Sequence, residues 1–122
     1  MQKIFGAEAK VYLNYEGDIH SLAEKLNKKL HIDITIENRE DPPYDFTGMC
    51  QTLGIEIWLN SSDKEPRYAY ELELRTELRI GEFMNGQMHD LSLWLARFIT
   101  MVCKVETLVL LENDEVVFKI DS

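Results

Sequence analysis

The sequence predicts an α+β fold: a single domain with a mainly antiparallel sheet and two helices on one face, in the order β-α-β-β-β-α-β-β. Three observations lead there. Several short segments alternate apolar and polar residues one by one, the period of a half-buried strand. Two segments instead repeat apolar residues at helical spacing. The helices separate runs of strands rather than alternating with them, which favours helices gathered on one face of an antiparallel sheet. A chain of 122 residues is long enough for one core, so residues 1–122 are read as one domain.

The first strand is set by Ala9, Val11 and Leu13 alternating with Lys10, Tyr12 and Asn14. Gly17-Asp18 ends it, and Asp18 is placed to cap the helix that follows. In that helix Ile19, Leu22, Ala23, Leu26 and Leu30 share one side, with Glu24, Lys25, Lys28 and Lys29 opposite. The lysines near its end suit the negative pole of the helix. Ile32, Ile34 and Ile36 alternate with Asp33, Thr35 and Glu37 to give the second strand. Residues 39–47, with Pro42-Pro43, read as a loop.

Met49 to Asn60 reads as one strand with an irregular start, in which Ile55, Ile57 and Leu59 face inward and Glu56 and Trp58 outward. After a turn at residues 60–63, Arg67 to Leu78 forms the fourth strand. Tyr68, Tyr70, Leu72 and Leu74 make one of its faces, and Ala69, Glu71, Glu73, Arg75 and Glu77 the other. Gly81 to Gln87 connects to a second helix capped by Asp90, with an apolar stripe of Leu91, Leu95, Phe98, Ile99 and Val102. Trp94 is read as packing. Val105–Leu111 and Glu115–Ile120 form a closing hairpin turned at Asn113-Asp114. The expected core includes Ile34, Ile57, Leu72, Leu95 and Phe98.

Charge narrows the function. The net charge is -9, and it repels nucleic acid and anionic lipid while attracting a basic protein. Acids crowd residues 33–77, where the only bases are Arg39, Lys64, Arg67 and Arg75. Strand alternation puts Asp33, Glu37, Glu56, Glu71 and Glu73 on one sheet face, provided the strands are neighbours. No stretch reaches the roughly 20 apolar residues of a membrane-spanning helix, and the first residues lack a signal-peptide core. A cytoplasmic protein is expected. Cys50 and Cys103 have apolar neighbours and read as buried thiols rather than a disulfide.

Familiar catalytic patterns are missing. The chain has no GxGxxG, no GxxxxGK[ST] and no GxSxG. His20, His31 and His89 lie far apart and read as helix-end or surface residues. No catalytic set, cofactor or metal site is therefore expected. The carboxylates keep other readings open: a solvated face, a docking surface for a protein, a hard-cation site, or an acid–base pair for glycoside hydrolysis. Trp58, outward among acids, suits an anchor that receives an arginine. Arg75 is a further candidate contact. Tyr44 and Asp45, held after two prolines, are candidate rim contacts.

Pro43-Tyr44-Asp45-Phe46-Thr47-Gly48-Met49-Cys50-Gln51-Thr52-Leu53-Gly54-Ile55-Glu56-Ile57-Trp58-Leu59, together with Asp90-Leu91-Ser92-Leu93-Trp94-Leu95-Ala96-Arg97-Phe98-Ile99, resembles small immunity proteins of bacterial contact-dependent growth inhibition and related polymorphic toxin systems. The resemblance spans about Glu8 to Leu110. It implies a single-domain cytoplasmic protein that binds and neutralises one cognate toxin domain, often a basic nuclease. It carries over no catalytic residues. The rival expectations are a carboxylate-based metal-binding or hydrolytic domain, and a non-catalytic adaptor subunit.

Overall fold

The structure, a computed structural model, describes residues 4–38, 46–52, 54–76 and 87–120. The elements are β1 (Ile4–Asn14), α1 (Ile19–Leu30), β2 (Thr35–Asn38), β3 (Phe46–Thr52), β4 (Ile55–Glu65), β5 (Tyr68–Thr76), β6 (Gln87–Asp90), α2 (Ser92–Cys103), β7 (Glu106–Leu110) and β8 (Glu115–Phe118). The domain is α+β, and the predicted order holds with β3 and β6 added to it.

The added strand β3 comes from a glycine. Gly54 has φ +75° between the last ladder pair of β3 and β4, Thr52 with Ile55. That backbone suits glycine and closes a tight hairpin, so the span Met49 to Asn60 is two strands rather than one. Gly48 serves close approach. A Cβ there would lie 2.6 Å from Ile34 Cγ2 and 2.8 Å from Ile36 Cδ1, so a side chain would force those two isoleucine side chains to shift.

The strands run in the order β2-β3-β4-β5-β1-β7-β8, with β6 also pairing with β1. All neighbours are antiparallel except β6 with β1. β1 is the hub. Its Glu8–Leu13 stretch pairs with β5, its beginning with β6, and its Tyr12–Asn14 end with β7. Between β6 and β7 the start of α2 continues the ladder. Leu91 N–H donates to the Glu8 carbonyl (2.8 Å), and Lys10 N–H donates to Ser92 Oγ (2.9 Å). Asp90 Oδ1 in turn accepts the Ser92 N–H at 2.9 Å. The expected cap residue thus holds the first turn, although Leu91 occupies the capping position itself.

α1 follows its sequence signals. Asp18 accepts the Ser21 N–H at 2.8 Å, and His31, at φ 55°, ends the helix. Asn27 then clamps the exit by accepting from Ile34 N–H and donating to the Ile34 carbonyl.

Both helices lie on the inner face of the sheet, in one core. Leu22 and Leu26 of α1 and Leu95 and Ile99 of α2 meet Val11, Leu13, Leu59 and Leu72. Ile34, Ile57, Leu72 and Leu95 are buried, as expected. Cys50 and Cys103 are buried free thiols. Under α2, Thr107 Oγ1 donates to the Ala96 carbonyl and contacts Thr100 Oγ1, satisfying two buried hydroxyls.

Four expectations fail here. Phe98 is 39% exposed and Trp94 61% exposed, so neither is a core residue. Their helix is apolar on nearly every side, and periodicity cannot orient such a helix. Leu91 is likewise exposed. Tyr68 leaves the face of Tyr70 and Leu72 and joins Tyr12 and Leu108 in a separate small cluster. The β4–β5 ladder is irregular between Ser61 and Glu65, and a bulge of that kind re-aims the side chains beside it.

Candidate protein-docking face

Ladder register assembles the sheet's outer face row by row. Glu8, Arg75, Glu56 and Gln51 lie across β1, β5, β4 and β3. Lys10, Glu73, Trp58 and Met49 form the next row. Tyr12, Glu71 and Asn60 form the third, with Leu108 on the far side of Tyr12. Glu56, Trp58, Glu71, Glu73 and Arg75 therefore do share one face. Asp33 is exposed but precedes β2. Glu37 pairs with Thr47, which pairs with Asn60, so the register of the third row continues to Glu37 at the sheet's edge. Tyr44 and Asp45 lie outside the described residues, as does Glu77.

The face is a lattice of opposite charges rather than a uniform acidic field. Lys10 Nζ sits 3.4 Å from Glu71 Oε1. Arg75 Nη2 reaches Glu73 at 3.3 Å and Glu8 at 3.8 Å. Burial works against the charge on Lys10, yet Glu71, with Tyr12 and Glu73, holds its pKa above the ordinary value. Glu71 itself is 9% exposed, so it belongs to the structure of the sheet as much as to its surface. Lys10 was visible in the sequence on the polar side of β1. Its pairing with a residue on β5 was not.

Trp58 is half-buried at the middle of this lattice. Its indole N–H donates to Glu56 Oε2 at 3.4 Å, and Glu73 lies directly across the ladder. Glu56, Trp58, Asn60, Glu73 and Arg75 line a shallow recess of about 250 Å³. A partner's cation that settles on the ring meets a carboxylate on two sides.

Sequence reasoning missed a second polar unit at the far end of the face. Tyr68 Oη donates to Glu106 Oε2 at 2.6 Å, and Arg67 lies 3.6 Å from the same carboxylate. The Tyr68 hydroxyl bond holds the Glu106 carboxyl below its usual range. Burial, reinforced by that bond and by the Glu106 charge, pushes Tyr68 up to about 12. The alternation of Tyr12 with apolar residues was the available sign that this face carries its own aromatic cluster.

Among the described residues, no three His, Cys, Asp or Glu side chains are grouped so as to hold a metal ion. His20 and His31 lie at the two ends of α1, and His89 lies in β6. Among the described residues, no helix is long and apolar enough to cross a membrane. Comparison of the chain with protein-family models, with curated proteins and with solved structures found no match.

Proposed function

We propose that this chain is a non-catalytic immunity protein that binds a basic toxin domain in the cytoplasm and blocks it by covering its substrate site. The single observation that carries the reading is the half-buried Trp58 between Glu56 and Glu73 on an open sheet face. Such an arrangement offers an aromatic anchor inside a charged rim, the composition of a binding hot spot. The chain's net charge of -9 adds long-range steering toward a cationic surface. The resemblance to immunity proteins supplies the toxin as the partner. Glu56 and Glu73 supply the local field, Trp58 the anchor and Arg75 a directional contact. Glu71 pairs with Lys10 on the neighbouring strand. Asp33 and Glu37 extend the expected contact set toward the β2 edge, and Tyr44 and Asp45 belong to it on the sequence alone.

The test is capture followed by rescue. The tagged chain is used to capture a basic domain that arrests growth when produced alone, and the two are then co-produced. Growth should be restored by the natural chain and lost with Trp58→Ala or Glu56→Lys, both variants remaining folded. The association rate should fall steeply as salt rises, with dissociation changing less. Rescue that survives both substitutions, or association indifferent to salt, would remove this face from the mechanism.

A further inference from the structure

The outer face of α2 plays no part in the function proposed above, and it is the least ordinary surface of the molecule. The helix buries Leu95, Ala96, Ile99 and Cys103 against the sheet. Its opposite side exposes Leu93 (43%), Trp94 (61%), Phe98 (39%) and Met101 (59%). A helix apolar all round is normally enclosed on all sides. Trp94 and Phe98 stack with ring centroids 5.4 Å apart and planes within 11°, which presents a flat aromatic plate to the exterior. Exposed apolar patches of this kind mark association surfaces.

We propose that this face joins two copies of the chain, with their α2 helices packed antiparallel about a two-fold axis near Phe98. The pattern of the stripe is self-complementary. Trp94, Phe98 and Met101 are spaced i, i+4, i+7, so an antiparallel pairing centred between Arg97 and Phe98 sets Trp94 against Met101 of the second copy. It also sets the two Phe98 rings together. An isologous contact needs this correspondence.

Charge selects both the occupant and the direction. α2 contains no acidic residue, although the chain as a whole is at -9. At its C-terminal end stands the exposed Lys104. At its N-terminal end lies the β7–β8 turn. Thr100, near the other end of the helix, bonds the Val105 and Phe118 carbonyls, and Ala96 accepts from Thr107, so the turn extends toward the helix start, where Leu111, Glu112, Asp114 and Glu115 are exposed. The start of the helix is therefore flanked by an acidic turn and its end by a lysine, with Arg97 between them. A second copy turned antiparallel sets acid against base at both ends, whereas a parallel copy sets like against like. An anionic bilayer would attract only the basic end, and a basic protein only the acidic end.

Sedimentation of the full chain across a concentration series at low salt tests the proposal. The mass should rise toward twice 14.3 kDa. Trp94→Ala and Met101→Lys should each weaken association by about tenfold or more while leaving circular dichroism unchanged. Lys104→Glu alone and Asp114→Lys alone should each weaken it, and the two combined should restore it, because the exchanged charges meet across the interface. Phe98→Cys should be captured as a dimer by a short thiol crosslinker. A single-chain mass at every soluble concentration overturns the proposal. So does a dimer indifferent to Trp94→Ala and Met101→Lys, and so does tryptophan fluorescence that responds to anionic vesicles while the chain stays monomeric.

Discussion

The outer sheet face and the outer α2 face are both exposed, yet they meet solvent by opposite means. On the sheet, Lys10, Glu71, Glu73, Arg75 and Glu8 pair across neighbouring strands, and Trp58 is half covered among them. On α2, Trp94 and Met101 stand open with Arg97 as the charge beside them. The sheet face is already satisfied without a partner, so a partner must compete with existing ion pairs. That arrangement favours selectivity over raw affinity. The helix face has nothing to give up, and covering it recovers apolar area directly. Under the two proposals, the sheet would serve a discriminated partner and α2 a second copy of the chain.

The largest expected effect calibrates both faces against the core between them. Leu72 is 1% exposed, and Leu72→Ala should cost about 2–5 kcal/mol in denaturant melts. A neutral result would mean that the strands are phased the other way and that the two faces are exchanged.

Glu71→Ala comes next, at about 1 kcal/mol, because it removes a well-buried side chain and its pair with the half-exposed Lys10 ammonium, which water can still solvate. Glu73→Ala, on the same strand and face, should stay within about 0.5 kcal/mol. Equal costs at the two positions would show that the outer face has no structural layer beneath its surface layer.

Tyr68→Phe should cost about 1 kcal/mol near neutral pH through loss of the bond to Glu106. Its pH dependence has two arms. The folded pKa of Glu106 is lowered, so its contribution is present above the ordinary carboxylate range and lost as pH falls through the folded value. The gap between the natural chain and Tyr68→Phe should therefore close in acid. The folded pKa of Tyr68 is raised to about 12, so its contribution is full below the ordinary tyrosine value and lost as pH climbs toward 12. Melts from acid to strong alkali, with tyrosinate absorbance, follow both arms. A gap constant across the range would remove the Tyr68–Glu106 bond from the account.

The smallest effect is expected on the helix side. At concentrations that keep the chain monomeric, Trp94→Ser should change unfolding free energy by less than about 0.5 kcal/mol. A large loss there would mean that the ring is structural and that the contrast between the faces is false.

Legibility in the sequence followed locality. α1 was readable from Asp18 to Leu30 because its cap, its apolar stripe and its terminal lysines all lie within one short segment. The β7–β8 hairpin was readable for the same reason, with Leu110 pairing Glu115 across its turn. β3 was fused to β4 because Gly54, a single residue, separates two runs of similar composition. The outward direction of Glu56, Trp58 and Glu73 was legible from alternation. The pairing of Glu71 with Lys10 was not, because it depends on β1 lying beside β5. Trp94 and Phe98 were misjudged because Leu93, Trp94, Leu95, Phe98, Ile99 and Met101 leave no polar side from which to take a bearing. Four large apolar residues opposite Leu95 and Ile99 were the available warning.

The position of β1 also bears on synthesis. Residues 46–76 form a meander whose strands meet their sequence neighbours, and such local pairings close early. β1 emerges from the ribosome first, yet Glu8 waits for Arg75 and Tyr12 for Leu108. Both edges of this apolar strand stay open through most of translation, and open edges recruit other chains. For a nascent chain of this kind, the vulnerable interval of β1 lasts until Leu108 has left the exit tunnel, and the strand made first stays open the longest.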